Sequence, residues 1–225
     1  MDDRYVLHHY PLNPLCREIR LLLEEWHVYF VTVFEEPWKH EPHLLKLNPA
    51  GEVPVLEAPD GRVFSHHLAI ADYLQGLHPA INFFGEDPHR RAEILRLVGW
   101  FDELMYREAV QPIFRELVYK QIYDRQSPDS VCIRAAQHNA DRHMQYINYL
   151  AKRRGYLADG MISLADFAAA AQVSVLDYLG KIEWDKYLFA KNWYMPIKSR
   201  PSFQPLLLDR IRGILPASVY LRVDF

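Results

Sequence analysis

Cysteine is scarce in this sequence. Two occur, Cys16 and Cys132, widely separated among 225 residues. That excludes a disulfide-stapled scaffold. One bridge is possible by count, but free thiols in a reducing compartment fit the number better. Long apolar runs are missing: no stretch reaches the ~20 residues needed to cross a bilayer. An excess of charge is missing as well, the formal net charge being −3. Such balance creates no long-range field that selects nucleic acid or an anionic membrane. The opening MDDRYVLHHY lacks the basic flank and apolar run of a secretion signal. Solenoid repeats and low-complexity segments are likewise missing. The expectation is a cytoplasmic chain with no nucleic-acid partner and no membrane insertion.

Apolar residues make up 50% of the chain, enough to bury a core, and the length fits one large domain or two small ones. Residues 5–10 read as a short strand stopped by Pro11 and Pro14. Leu15, Ile19, Leu22, Leu23 and Trp26 recur at helical spacing. Residues 28–34, VYFVTVF, are β-branched and aromatic, hence a strand. Strand, helix, strand in that order predicts a right-handed unit with parallel strands. Residues 35–48 are polar and contain two prolines, which predicts a loop with at most one short helix. Residues 53–57 and 62–64 form strands joined by the turn Pro59-Asp60-Gly61, so they run antiparallel. Helical spacing returns over 66–77. The order is β-α-β-α-β-β-α over residues 1–78. A linker over 79–88 carries Pro79, Gly85 and Pro88. From 89 to 225 the strand signals nearly vanish. Helices are expected over 89–123, bent at Pro112, and over 131–154, 164–179 and around 184–196. Prolines break the tail, 199–225.

The segment Asn48-Pro49-Ala50-Gly51-Glu52-Val53-Pro54 is the sharpest local signal. A proline at a strand start is often cis. Val53 would then offer its amide and carbonyl to an extended peptide. The same residues also read as a plain turn and edge strand. Ser163 and Asp166 form a capping box for the helix that follows, a structural role. Eleven histidines invite a metal, but no His-x3-His with a carboxylate partner occurs, so no metal site is expected. Trp38 in the polar loop is either a partner contact or packs on its own domain.

Together these motifs resemble the cytosolic glutathione transferases over nearly the whole chain. That family has asparagine-proline-x-glycine-x-valine-proline before its third strand. It has a capping box in its helical domain and a pattern matched here by Ala69-Ile70-Ala71-Asp72-Tyr73-Leu74. The resemblance implies a thioredoxin-like α/β N-terminal domain followed by an all-α C-terminal domain, the glutathione S-transferase fold. It also implies a homodimer, with glutathione as ligand or cosubstrate and no other cofactor. The equivalent glutathione site would be Val53, Pro54, His66 and His67. Two departures fall on the chemistry. His66-His67 stands where the family has glutamate-serine, removing the negative charge that meets the glutathione ammonium. Asn13-Pro14-Leu15-Cys16-Arg17 stands where bacterial members carry a thiol-activating serine. Asn13 can donate a hydrogen bond to a thiolate, and Tyr10 is a fallback phenol donor that can equally just pack on the helix. Cys16, near a helix start where the dipole lowers a thiol's pKa, is either reactive or a buried spacer.

The run Asp209-Arg210-Ile211-Arg212-Gly213-Ile214-Leu215-Pro216, then Tyr220 and Asp224-Phe225, narrows the resemblance. It is similar to the glutathione-transferase-like cell-division proteins of alphaproteobacteria, the FzlA family, which bind the tubulin-like polymer FtsZ. Those relatives have a tryptophan in the loop of Trp38 and a functional tail, here ending in Asp224 and Phe225. Three readings follow from the resemblance. The first is a non-catalytic scaffold with a degenerate glutathione site that binds an FtsZ-like polymer through Trp38, Asp224 and Phe225. The second is a transferase that conjugates glutathione to small electrophiles through Asn13 or Tyr10. The third is a carrier of apolar ligands.

Overall fold

The computed structural model describes residues 4–222. The chain divides into two compact units, the first ending at Asn82 and the second starting at Phe83.

In the first unit β1 (Tyr5–His9), α1 (Pro14–Glu25) and β2 (Phe30–Phe34) make the parallel β-α-β unit. A short 3-10 turn (Pro37–Lys39) and α2 (Pro42–Leu47) lead to β3 (Val55–Glu57), β4 (Val63–Ser65) and α3 (His67–Leu77). The sheet order is β2-β1-β3-β4, with β3 antiparallel to both β1 and β4. The second strand begins two residues later than its composition predicts. The amide of Val28 is already bonded to the Leu23 carbonyl at 2.9 Å, closing the end of α1. Pairing with β1 starts only once Tyr29 accepts the Tyr5 amide at 3.1 Å. Helix α1 opens with Pro14 in its first turn and the Asn13 side chain accepting the Cys16 amide. It buries Cys16, Ile19, Leu22 and Leu23 and packs with α3.

The second unit is helical. The pattern expected over 89–123 is one continuous helical run that changes its winding. It comprises α4 (Pro88–Gly99), a π-helical stretch (Trp100–Val110), α5 (Gln111–Phe114) and a second π-helical stretch (Arg115–Asp124). Pro112 supplies no amide, so the helix passes it by redistributing its hydrogen bonds rather than by stopping. Then come α6 (Ser130–Arg154), α7 (Leu164–Tyr178), α8 (Leu188–Lys198) and α9 (Gln204–Leu207), with 3-10 turns at Trp184–Lys186 and Pro201–Phe203. Among the described residues no helix is long and apolar enough to cross a membrane.

Helix α7 is the core of this unit: every residue from Leu164 to Tyr178 is buried. Its alanines let α4, α8 and the Trp100–Val110 stretch approach closely. A helix so enclosed must satisfy its first turn from within. Asp166 does this with four acceptor contacts: the amides of Ser163 and Leu157, the Ser163 hydroxyl and the Trp193 indole N–H, all at 2.9 Å. Burial outweighs these bonds and pushes the carboxyl up to about 6. The tail folds back on the same unit. The Ala217 amide bonds the Tyr178 carbonyl, the Tyr178 hydroxyl bonds the Ile214 carbonyl, and the buried Tyr220 hydroxyl bonds the Leu206 carbonyl at 2.7 Å.

Two predictions follow from this hub. Ser163→Ala should lower unfolding stability by ~1 kcal/mol, read by urea titration. Asp166 holds its proton more tightly folded than unfolded, so its neutral form favours the fold. That contribution is complete below about pH 4 and is lost as pH rises through about 6. Relative to Asp166→Asn, the wild type should therefore lose ~2 kcal/mol of stability between pH 4.5 and 7.5. Parallel stability profiles for the two chains would contradict it.

Candidate functional site

The turn before β3 is built by Asn48. Its amide nitrogen donates to the Glu52 carbonyl at 2.9 Å, and its side-chain oxygen accepts the Ala50 amide at 3.1 Å. Gly51 bonds back to the Asn48 carbonyl at φ +69°, and a Cβ there would meet the His40 ring at 2.9 Å. The positive φ favours glycine here, and any side chain would also have to displace the exposed His40 ring. The Val53-Pro54 bond is cis. Among the described residues no other backbone group takes up the amide or the carbonyl of Val53.

Val53 and Pro54 line a cavity of about 220 Å³ together with Ser65, His66 and His67. The structure thus brings four of the sequence-predicted residues to one place. Helix α3 starts at His67 rather than His66. His66 precedes it at φ 77°, exposed, with no side-chain bond to the helix end. His67 is buried, and the two rings lie 4.5 Å apart between centroids. The cavity also holds a residue that motif reading passed over as a spacer. Glu52, the variable position of the asparagine-proline motif, is an exposed acid among the lining residues. Only its place beside Val53 in the chain could have signalled it.

The candidate thiol-handling residues do not line this cavity. Asn13 spends its side-chain oxygen on the Cys16 amide at 3.2 Å. Of the two readings of Cys16, the geometry fits the buried spacer: the residue is fully buried, and burial pushes its thiol up to about 12 despite the Tyr10 backbone and Arg20 nearby. Desolvation outweighs the helix-start dipole. Tyr10 is 2% exposed and packs edge-on against Trp38, ring centroids 5.0 Å apart, and against Phe34 at 5.6 Å. Trp38 is therefore mostly packed on its own unit, with only part of its surface exposed. Asp224 and Phe225 lie outside the described residues.

A second polar cluster lies within the first unit. His8 on β1 has its Nδ1 at 2.7 Å from Glu35 and its Nε2 at 2.8 Å from Glu57. His43 on α2 places Nε2 at 2.9 Å from both oxygens of Glu35. The next residue, His9, is buried beside Arg20 and Arg17. Desolvation and these charges pull its pKa down to about 3, so it stays neutral.

Comparison with known proteins gives this arrangement a family. Residues 14–77 match the family model described as Glutathione S-transferase, N-terminal domain. The chain is 39% identical to FtsZ-localized protein A of Caulobacter vibrioides, over the full length of both. A crystal structure of a glutathione S-transferase from Sinorhizobium meliloti superposes with a TM-score of 0.94 at 40% identity, covering 99% of this chain and 100% of that one. FzlA from C. crescentus superposes with a TM-score of 0.95 at 38% identity and the same coverage. The chain belongs to the glutathione S-transferase superfamily and, within it, to the family of FtsZ-localized protein A.

Proposed function

We propose that this protein is a non-catalytic, cytoplasmic, homodimeric scaffold that binds an FtsZ-like polymer and carries a degenerate glutathione site. The observation that carries the reading is the full-length identity to FtsZ-localized protein A, a protein named for its place on FtsZ. The site chemistry supports it. Two imidazoles stand where the resemblance expects a carboxylate and a hydroxyl. A neutral imidazole accepts one bond and brings no negative charge to an ammonium. The one thiol near the start of α1 is buried and protonated. The Asn13 side-chain oxygen already caps α1. Trp38 in the β2–α2 segment offers a partly exposed ring, and Phe34, 55% exposed, packs on the same Tyr10 ring. An aromatic anchor of that kind suits a protein contact. Asp224 and Phe225 are the tail's proposed contribution.

One observation favours a second reading, a glutathione S-transferase acting on small electrophiles. The Val53 edge is open, and an acid, Glu52, is among the residues that line the cavity. In that case Asn13 or Tyr10 would supply the hydrogen bond to the thiolate.

Two measurements separate the readings. Calorimetry with glutathione should show no saturation below about millimolar in the wild type. His66→Glu with His67→Ser should tighten binding about tenfold or more by restoring charge-assisted bonds. Submillimolar wild-type affinity, with turnover of an aryl halide that Asn13→Ala abolishes, would favour the enzyme. For the partner, the wild type should pellet with GTP-assembled FtsZ, and Trp38→Ala should cut the bound fraction several-fold. Unchanged pelleting of Trp38→Ala would remove that residue from the contact.

A further inference from the structure

The second polar cluster has no part in the glutathione-like cavity, yet it links four ionisable side chains of the first unit at hydrogen-bond distance. Glu57, His8, Glu35 and His43 form an unbroken chain of contacts between 2.7 and 2.9 Å. The His8 ring and the Glu35 carboxylate at its centre are 7% and 4% exposed. The chain joins β3, β1, the residue after β2 and the first turn of α2. Glu35 is also the point where the backbone leaves the sheet, its amide bonding the His9 carbonyl at 2.8 Å. Between Glu35 and His43 lies the segment that bears Trp38. This one carboxylate therefore ties both ends of that segment.

The proton count at His8 is fixed by geometry. A neutral imidazole has one N–H and one bare nitrogen. Both of its nitrogens here face carboxylate oxygens at hydrogen-bond distance. A bare nitrogen opposite a carboxylate sets lone pair against lone pair. The complete chain therefore needs one proton more than neutral His8 with two ionised carboxylates can provide. Whether that proton rests on the ring or on a carboxyl, its loss opens one of the two His8 contacts. His43 on α2 and His9 in its own strand also lie by this chain, the latter beside Arg17 and Arg20 of α1. Among the described residues no cation other than these histidines bonds to Glu35.

We propose that the chain Glu57–His8–Glu35–His43 is a proton-dependent clasp that positions the segment bearing Trp38. Its closed form binds one more proton than its open form, so rising pH loosens the clasp. His8 and Glu35 are positioning residues: they touch Trp38 only through the backbone they fix. The effect on partner binding rests on the scaffold reading; the clasp itself does not.

Hydrogen exchange tests the clasp without any partner. Amide protection over residues 35–43 is measured at about pH 6 and pH 8, corrected for the intrinsic rate, in wild type, His8→Gln, Glu35→Gln and the milder, more exposed His43→Ala. Wild-type protection should fall about tenfold between the two pH values, beyond the intrinsic correction. His8→Gln and Glu35→Gln should show low protection that no longer depends on pH, and His43→Ala an intermediate loss near α2. Protection that is flat with pH in the wild type, or that changes equally in Glu35→Gln, would overturn the proposal. The same chains are then pelleted with GTP-assembled FtsZ at both pH values. Wild-type binding that weakens at the higher pH, with flat binding in the two glutamine variants, extends the clasp to the partner. A wild type that never pellets refutes the scaffold reading, while the exchange result still decides the clasp.

Discussion

A polar group removed from water must find a partner inside the protein, at a cost of several kcal/mol if it fails. Both units of this chain are organised by that requirement. In the second unit, Asp166 lies at the start of a helix with no solvent on any side. Its carboxylate gathers donors from α7, from the loop before it and from α8. Lys198 and Asp177 repeat the solution at the far end of α7, 2.9 Å apart, with the lysine also donating to the Val219 carbonyl at 3.3 Å. Burial pulls Lys198 below its ordinary pKa while Asp177 opposes that pull. The tail thus follows from the core: residues that would otherwise leave the bundle are bonded to the groups the bundle had to satisfy.

In the first unit the same requirement acts through strand alternation. On β1, Leu7 is fully buried while the next side chain is a histidine. A strand in the middle of a sheet sends successive side chains to opposite faces. The face that receives His8 must therefore carry acceptors, and it does: Glu57 from β3 and Glu35 from the end of β2. The register fixes their meeting, since His8 pairs with Val55 on one side and Val33 on the other. A shift of one residue would send His8 to the other face and break both contacts.

The order of elements was legible because it rests on local patterns. Period-two runs, helical spacing and the Pro59-Asp60-Gly61 turn all act within a few residues. Local reading went astray where tertiary bonds compete. Val28 looks like strand, but its amide closes α1. His66 looks helical, but it sits at φ 77° before the helix. Pro112 looks like a bend in an α-helix, but the run on both sides of it winds as π-helix, which no local pattern announces. At the site, Val53, Pro54, His66 and His67 could be gathered from the sequence because a family pattern orders them. Glu52 could not, since its type is unconstrained in that pattern. The His8 chain was out of reach for another reason. Its members are 27 and 49 positions apart, and nothing near any of them signals the others. Cys16 shows the same limit in energetic form: the helix start is visible in the sequence, while the burial that overrides it comes from packing.

The division between backbone and side chain bears on what the cavity can do. Asn48, Gly51 and the Val53-Pro54 turn shape the entry to β3, and they serve the sheet whether or not a ligand is present. Their persistence is uninformative about catalysis, because losing them would damage the fold first. Groups free to drift are those whose side chains serve only the ligand. At this cavity they are His66, His67 and Glu52, two bases and one acid. A peptide edge without a matched charge for an ammonium still recognises an extended backbone, but it recognises many of them poorly rather than one well. Glu52 alone decides whether that deficit is real. It is exposed, so any attraction it offers a cation is screened by water and weak. A charge on the rim does not replace a carboxylate fixed at a helix start, which is why the side chains, and not the preserved turn, support the scaffold reading.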